Sequence, residues 1–137
     1  MTKLKHIAIA TPDPEKTAEF FKNVFDLQEV GRVDNDNAVG YYLSDGSINL
    51  AVLNFRNSVV AGSEFGTGYA GIHHIGFTVE DIPNFVKRAE KAGGIRLTSQ
   101  PEPGVEAPAR GHSNADVKFS GPDGVIFDMS QYGWIGN

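Results

Sequence analysis

The sequence predicts an α+β domain built from two βαβββ modules, and three observations carry that expectation. A strand-like segment opening on histidine occurs twice, each copy leads into a helix-like segment with an acidic cap and an early proline, and each helix is followed by three short β-like runs. His6-Ile7-Ala8-Ile9-Ala10-Thr11 is the first copy and His74-Ile75-Gly76-Phe77-Thr78-Val79 the second, 68 residues on (74 minus 6), about half of the 137-residue chain.

In the first module Asp13 caps a helix expected over 14–25, with Pro14 at its first position and Ala18, Phe21, Val24 and Phe25 along one face. In the second, Asp81 is the cap, Pro83 sits in the first turn, Phe85, Val86, Ala89 and Ala92 form the apolar face, and Gly93-Gly94 ends the helix. The β-like runs are 28–33, 39–43 and 48–55 in the first half and 95–98, 116–120 and 125–130 in the second. Asp45-Gly46 and Pro122-Asp123-Gly124 carry turn signals. Segments 57–71 and 99–114 are rich in turn-forming residues and read as loops, the second long enough to act as a flap. The expected organisation is one domain over 1–137: module one at about 4–56, a linker at 57–71, and module two at 72–132.

Seventeen acidic residues against twelve basic ones give a net charge of −5, and the basic residues are scattered, which argues against a nucleic-acid partner. The absence of cysteine excludes a disulfide framework, thiolate metal sites and cysteine nucleophiles, and fits a reducing compartment. No apolar stretch approaches the roughly 20 residues needed to span a bilayer, so the expectation is a cytoplasmic protein without a membrane partner.

Strand alternation assigns the faces. Ile7 and Ile9 lie opposite His6, Ala8 and Ala10; Ile75, Phe77 and Val79 lie opposite His74, Gly76 and Thr78. Bulky residues then cover the helix-facing core, while small residues line the histidine face and are expected to leave a cavity there. In the closing strand the same alternation sends Asp128 to the histidine face, where a buried carboxylate needs a cation, hydrogen bonds or solvent. Asn49 is its polar counterpart in the first half. His73 is expected on the opposite face, as a structural residue bonded to backbone. Tyr132 and Trp134 are expected to cap a core or a subunit contact.

HIAIATPDPEKTAEFFKNVFDLQ, HHIGFTVEDI and GPDGVIFDMS together resemble the vicinal oxygen chelate superfamily, which contains glyoxalase I, methylmalonyl-CoA epimerase, extradiol dioxygenases and bleomycin-binding proteins. The resemblance covers nearly the whole chain and implies curved mixed sheets. It carries metal-ligand roles to His6, His74 and Asp128, the last where the family usually has Glu. It also carries a fourth ligand position, Glu or Gln in glyoxalase-like and epimerase-like members, to Asn49. Two imidazoles and a carboxylate with open positions suit Fe(II), and also Mn, Co, Ni or Zn. His112 is a candidate acid–base residue beside catalytic Asp128, and Arg110 a candidate clamp for a substrate anion.

The expected function is that of a metal-dependent enzyme of glyoxalase or dioxygenase type, acting on a small oxygenated metabolite chelated through neighbouring oxygens. Two alternatives stand beside it: a metal-free antibiotic- or metabolite-binding protein of bleomycin-resistance type, and an acyl-CoA epimerase-like isomerase. The resemblance further implies a homodimer. From the residues, the modules pair either within one chain or across a swapped dimer.

Overall fold

In the computed structural model, residues 1–62, 65–98 and 115–136 are described. The chain runs β1 (Lys3–Ala10), α1 (Pro14–Phe25), β2 (Gln28–Asp34), β3 (Ala38–Ser44), β4 (Asn49–Phe55), α2 (Ser58–Ala61), β5 (Gly71–Thr78), α3 (Ile82–Lys91), β6 (Ile95–Arg96), β7 (Val117–Ser120) and β8 (Ile126–Ser130). Both longer helices start where their caps predict: Asp13 accepts from the Lys16 amide and Asp81 from the Asn84 amide, each at 3.1 Å, with a proline in the first turn.

The strands join into one mixed sheet in the order β2-β3-β4-β1-β5-β8-β7-β6. Each module places its first strand parallel to its last, β1 beside β4 and β5 beside β8. The modules meet where β1 runs antiparallel to β5. In this structure the pairing is within one chain, the first of the two arrangements that the residues left open.

Two bulges interrupt the β1–β5 seam. Leu4 pairs with Phe77 and His6 with Gly76, so Lys5 is the extra residue on β1. Ala8 pairs with His74 and Ile9 with Ile72, so His73 is the extra residue on β5. A bulge breaks the two-residue alternation, and His73 consequently packs against Phe55, on the same side of the sheet as His74, rather than on the opposite face as expected.

The helix-bearing face carries two apolar clusters. Under α1, Ala18 packs on Leu43 and Val52 with Phe21, Leu27 and Leu50 around them. Val24 and Phe25, expected on the same apolar stripe, are exposed instead; Phe25 rests against Phe21, whose ring comes between it and the sheet-facing cluster. Beside α3, Val86 joins Val79, Val117, Phe119 and Met129. The opposite face is not the empty hollow that its small residues suggested. Ala8, Ala10 and Ala51 are covered by Tyr42, Leu53, Phe55, Tyr69 and Ile135, and Ala61 of α2 joins the same cluster. The linker, expected as loop, thus supplies a helical turn capped by Asn57 that fills the space above the alanines. Open space remains beside this plug, a cavity of about 820 Å³ between α2 and the β6–β8 edge, lined by Val59, Val60, Leu97, Thr98, Lys118 and Ile126.

Close approach of β3 to β4 depends on Gly40, which pairs with Leu53; a Cβ there would lie 1.9 Å from the Val52 carbonyl oxygen. Gly40→Ala is expected to cost about 2–3 kcal/mol by forcing these central strands apart. Gly68→Ala, where a Cβ meets nothing within 4 Å, should shift stability by less than about 0.5 kcal/mol. Urea midpoints of the two variants check the contrast.

Candidate metal centre

Register places most of the site on one line across the sheet. Asn49 of β4 stands beside His6 of β1, His6 beside Gly76 of β5, Gly76 beside Asp128 of β8, and Asp128 beside Lys118 of β7. His74 lies two residues before Gly76 and shares its face. Gly76 keeps the middle of the line open, since a Cβ there would fall 2.6 Å from the Trp134 ring and 2.9 Å from the His6 Cβ.

Three groups converge in that opening. His6 Nε2 and His74 Nε2 are 3.1 Å apart, His74 Nε2 is 3.1 Å from Asp128 Oδ2, and all three ligand atoms lie within 4.8 Å of one another. All three residues are buried. Ligands at about 2.1 Å from an ion and at right angles around it stand about 3 Å apart, so two of these separations match neighbouring positions on one divalent cation. Asn49 Oδ1 lies 2.7 Å from His6 Nδ1, and an amide oxygen can only accept, so the His6 proton is on Nδ1 and the Nε2 lone pair faces the opening. The Trp134 indole stacks on the same ring, with centroids 4.5 Å apart and planes within 5°.

In this structure Asn49, expected as a fourth ligand, has both of its amide atoms engaged by protein groups. Its oxygen accepts from His6 and its Nδ2 donates to the Ile135 carbonyl at 2.9 Å, which commits the amide to orienting His6 and anchoring the C-terminal segment. Trp134 caps a core, as expected, but the core group it covers is His6. Two features carried no signal that was used in the sequence. Lys118 reaches Asp128 Oδ1 at 2.5 Å, so the carboxylate is shared between an ammonium and His74; strand register, which pairs Lys118 with Asp128, was the available clue. The bulge at His73 was the other. Arg110 and His112 lie outside the described residues.

Burial dominates the protonation of the histidines. For His6, burial and then the His74 charge lower the pKa, the Asn49 bond and Asp128 offset them in part, and the result is about 4. His74 and His73 are also pushed down, each chiefly by burial. For Asp128, burial acts to raise the pKa, but the His74 bond and charge and the Lys118 ammonium outweigh it and hold the carboxyl below its usual range. Near neutral pH the site is two neutral imidazoles and one carboxylate, the protonation state that a metal requires.

One mixed sheet made from two βαβββ modules, with a histidine from each first strand and a carboxylate from the closing strand, defines the class of protein. The model of the Glyoxalase/Bleomycin resistance protein/Dioxygenase superfamily matches residues 3–129, and the chain belongs to that superfamily. No curated protein matches the sequence significantly. Among solved structures, a Streptomyces coelicolor methylmalonyl-CoA epimerase variant in complex with 2-nitronate-propionyl-CoA is similar at 22% identity and TM-score 0.71, covering 98% of each chain. A methylmalonyl-CoA epimerase in complex with methylmalonyl-CoA and NH4+ is similar at 21% identity and TM-score 0.70, covering 94% of this chain and 93% of that one. A hypothetical protein from Bacillus halodurans C-125 is similar at 22% identity and TM-score 0.70, with the same coverage. These likenesses show the shared fold. No helix among the described residues is long and apolar enough to cross a membrane.

The depressed histidines set a pH dependence for the metal-free protein. The unfolded chain takes up a proton on His6 near pH 6.5, whereas the folded chain resists it down to about pH 4, so stability is greatest above pH 6.5 and falls as pH drops through that window. His74 and His73 act in the same direction. The expected loss for His6 is on the order of 3 kcal/mol across the window. Urea midpoints measured in chelator from pH 7.5 to 4 should show this slope, and His6→Gln should flatten it; equal slopes in the two proteins would contradict the assignment.

Proposed function

We propose that this chain is a divalent-metal enzyme in which His6, His74 and Asp128 hold the ion, acting on a small metabolite bound through two neighbouring oxygens. The observation that carries the reading is the close approach of His6 Nε2, His74 Nε2 and Asp128 Oδ2 in a buried opening, with the His6 proton held away from it by Asn49. A single proton on His74 Nε2 can serve only one of its two neighbours, His6 Nε2 and Asp128 Oδ2, whereas a cation among them satisfies all three lone pairs. The bound metal would act as a Lewis acid on the chelated oxygens, stabilising negative charge that develops there.

The chain's own residues set the rest. Asn49 and Trp134 fix the His6 ring, and Lys118 holds the second oxygen of Asp128, leaving Oδ2 directed at the opening. Lys118 also lines the 820 Å³ cavity, so an oxygenated substrate entering there meets the ammonium beside the ligand set. His112, as acid–base residue, and Arg110, as clamp for a substrate anion, complete the proposed site. With Asn49 turned onto His6, three protein ligands remain, the two-histidine, one-carboxylate set used by Fe(II) oxygenases, and open positions are left for two substrate oxygens. That favours dioxygenase chemistry. A second reading, acyl-CoA epimerisation, is supported by the methylmalonyl-CoA epimerases that share the fold over nearly the whole chain, although the Asn49 contact leaves it one ligand short of the epimerase-like pattern.

Protein purified without chelator is expected to carry close to one Fe, Mn, Co, Ni or Zn per chain by elemental analysis, and His74→Ala should lose it. Asn49→Ala should keep the ion but bind it about 10- to 100-fold more weakly. Oxygen uptake with catechols would support the dioxygenase reading. Solvent-deuterium incorporation at the α-carbon of methylmalonyl-CoA would support the epimerase instead. Absence of metal from the wild type, even after anaerobic loading, would leave the bleomycin-resistance type of binding protein.

A further inference from the structure

His73 is buried, is not among the three candidate ligands, and has both of its ring nitrogens engaged. Its Nε2 lies 2.7 Å from the Ala61 carbonyl oxygen, and its Nδ1 lies 2.8 Å from His74 Nδ1. The ring is wedged between Phe55 and Phe65, with centroids 4.6 and 4.9 Å away, so it is held in place by packing as well as by bonding. Both partners belong to fixed elements: Ala61 ends α2, and His74 is paired in the β1–β5 seam.

With an ion on His74 Nε2, that nitrogen carries no proton, and the hydrogen-bond directions along this chain are determined by its Ala61 end. A carbonyl oxygen can only accept, so His73 Nε2 must carry the proton that it donates to Ala61. A neutral imidazole carries one proton, so His73 Nδ1 is then an acceptor. The bond at 2.8 Å needs a hydrogen, which must come from His74 Nδ1. His74 then has its proton on the far side of the ring, and its Nε2 lone pair is free for the ion; without an ion, the Asp128 carboxylate 3.1 Å away competes for a proton on that nitrogen. The opposite arrangement would put the His73 Nε2 lone pair 2.7 Å from a buried carbonyl oxygen.

We propose that His73 is a positioning residue that relays the Ala61 carbonyl to His74, selecting the tautomer whose Nε2 lone pair is directed into the candidate metal centre. The inference rests on the metal reading of that centre. It gives the extra residue of the β5 bulge a purpose: in a regular strand His73 would point to the other face and could not reach its neighbour's ring. It also makes the linker helix part of the site, since Ala61 supplies the fixed acceptor. His6 is served by the Asn49 amide and His74 by a second imidazole, so each ligand has its own proton acceptor.

The test combines ¹⁵N imidazole spectra of the Zn²⁺-loaded protein at pH 8 with Co²⁺ titrations of wild type, His73→Phe and His73→Gln. A proton on His74 Nδ1 and on His73 Nε2 is expected in the wild type. His73→Phe, which keeps the ring volume but offers no acceptor, should weaken Co²⁺ binding about 10- to 100-fold. His73→Gln, whose amide can accept from His74 and donate to Ala61, should recover most of that loss. A proton on His73 Nδ1 in the wild type, or equal Co²⁺ affinity in wild type and His73→Phe, would overturn the proposal. Should the variants not fold, the wild-type spectrum alone decides. Should the wild type bind no metal, the metal reading fails and the relay with it; metal binding with a proton on His73 Nδ1 overturns the relay alone.

Discussion

Everything at the candidate site depends on the seam between β1 and β5. Two modules separated by a linker become one sheet there, and the seam sets His6 and His74 on the same face with their Nε2 atoms 3.1 Å apart. A slip by one residue would send one histidine to the helix-bearing side. Register is pinned from both directions: the helix face must bury Val52 under α1 and Val79, Val117 and Met129 beside α3, and the other face must receive the Trp134 ring over Gly76. The two bulges lie within the seam itself, where they re-aim side chains without moving either module's core.

Burial at this seam would be costly without the surrounding hydrogen bonds. Two imidazoles and a carboxylate are removed from water, and each is supported by a partner outside the opening: Asn49 for His6, His73 for His74 and Lys118 for Asp128. These partners come from β4, the bulge and β7, so the support is spread over the sheet. The C-terminal segment adds a strap. Ser44 donates to the Gly136 carbonyl, Asn49 to the Ile135 carbonyl, and the Gly133 amide to Ser130, which seats Trp134 on His6. Fixed rings lose little freedom when an ion binds, which is how rigid outer contacts raise metal affinity.

Much of this was legible in the residues because it depends on periodicity and on capping. The histidine repeat marked both first strands, Asp13 and Asp81 marked both helix starts, and alternation placed Asp128 with the histidines. What was not legible depends on breaks in periodicity and on contacts between distant segments. A bulge adds one residue without a composition signal, so alternation alone puts His73 on the wrong face, while its bond to backbone is as expected. Lys118 looks like any polar residue on an edge-proximal strand until β7 is set against β8. The short α2 is a single turn with two β-branched valines, a poor helix signal, and it forms because Asn57 caps it and Ala61 packs into the alanine-lined hollow.

Side-chain length explains why the line of residues ends up as three candidate ligands and an orienting amide. The superfamily positions matching Asn49 and Asp128 usually carry longer side chains, and both are one methylene shorter here. Neighbouring strands are about 4.8 Å apart, so Asn49, directly beside His6 in β4, reaches the near nitrogen of that ring and stops there. Asp128 stands beside Gly76, one strand beyond the seam on the other side. Its short arm leaves Oδ2 at 3.1 Å from His74 and Oδ1 within reach of Lys118, whereas a longer arm would carry the carboxylate further over the glycine toward His6. The two shortenings act together: one withdraws the fourth arm from the opening, and the other ties the carboxylate to a cation at its outer edge.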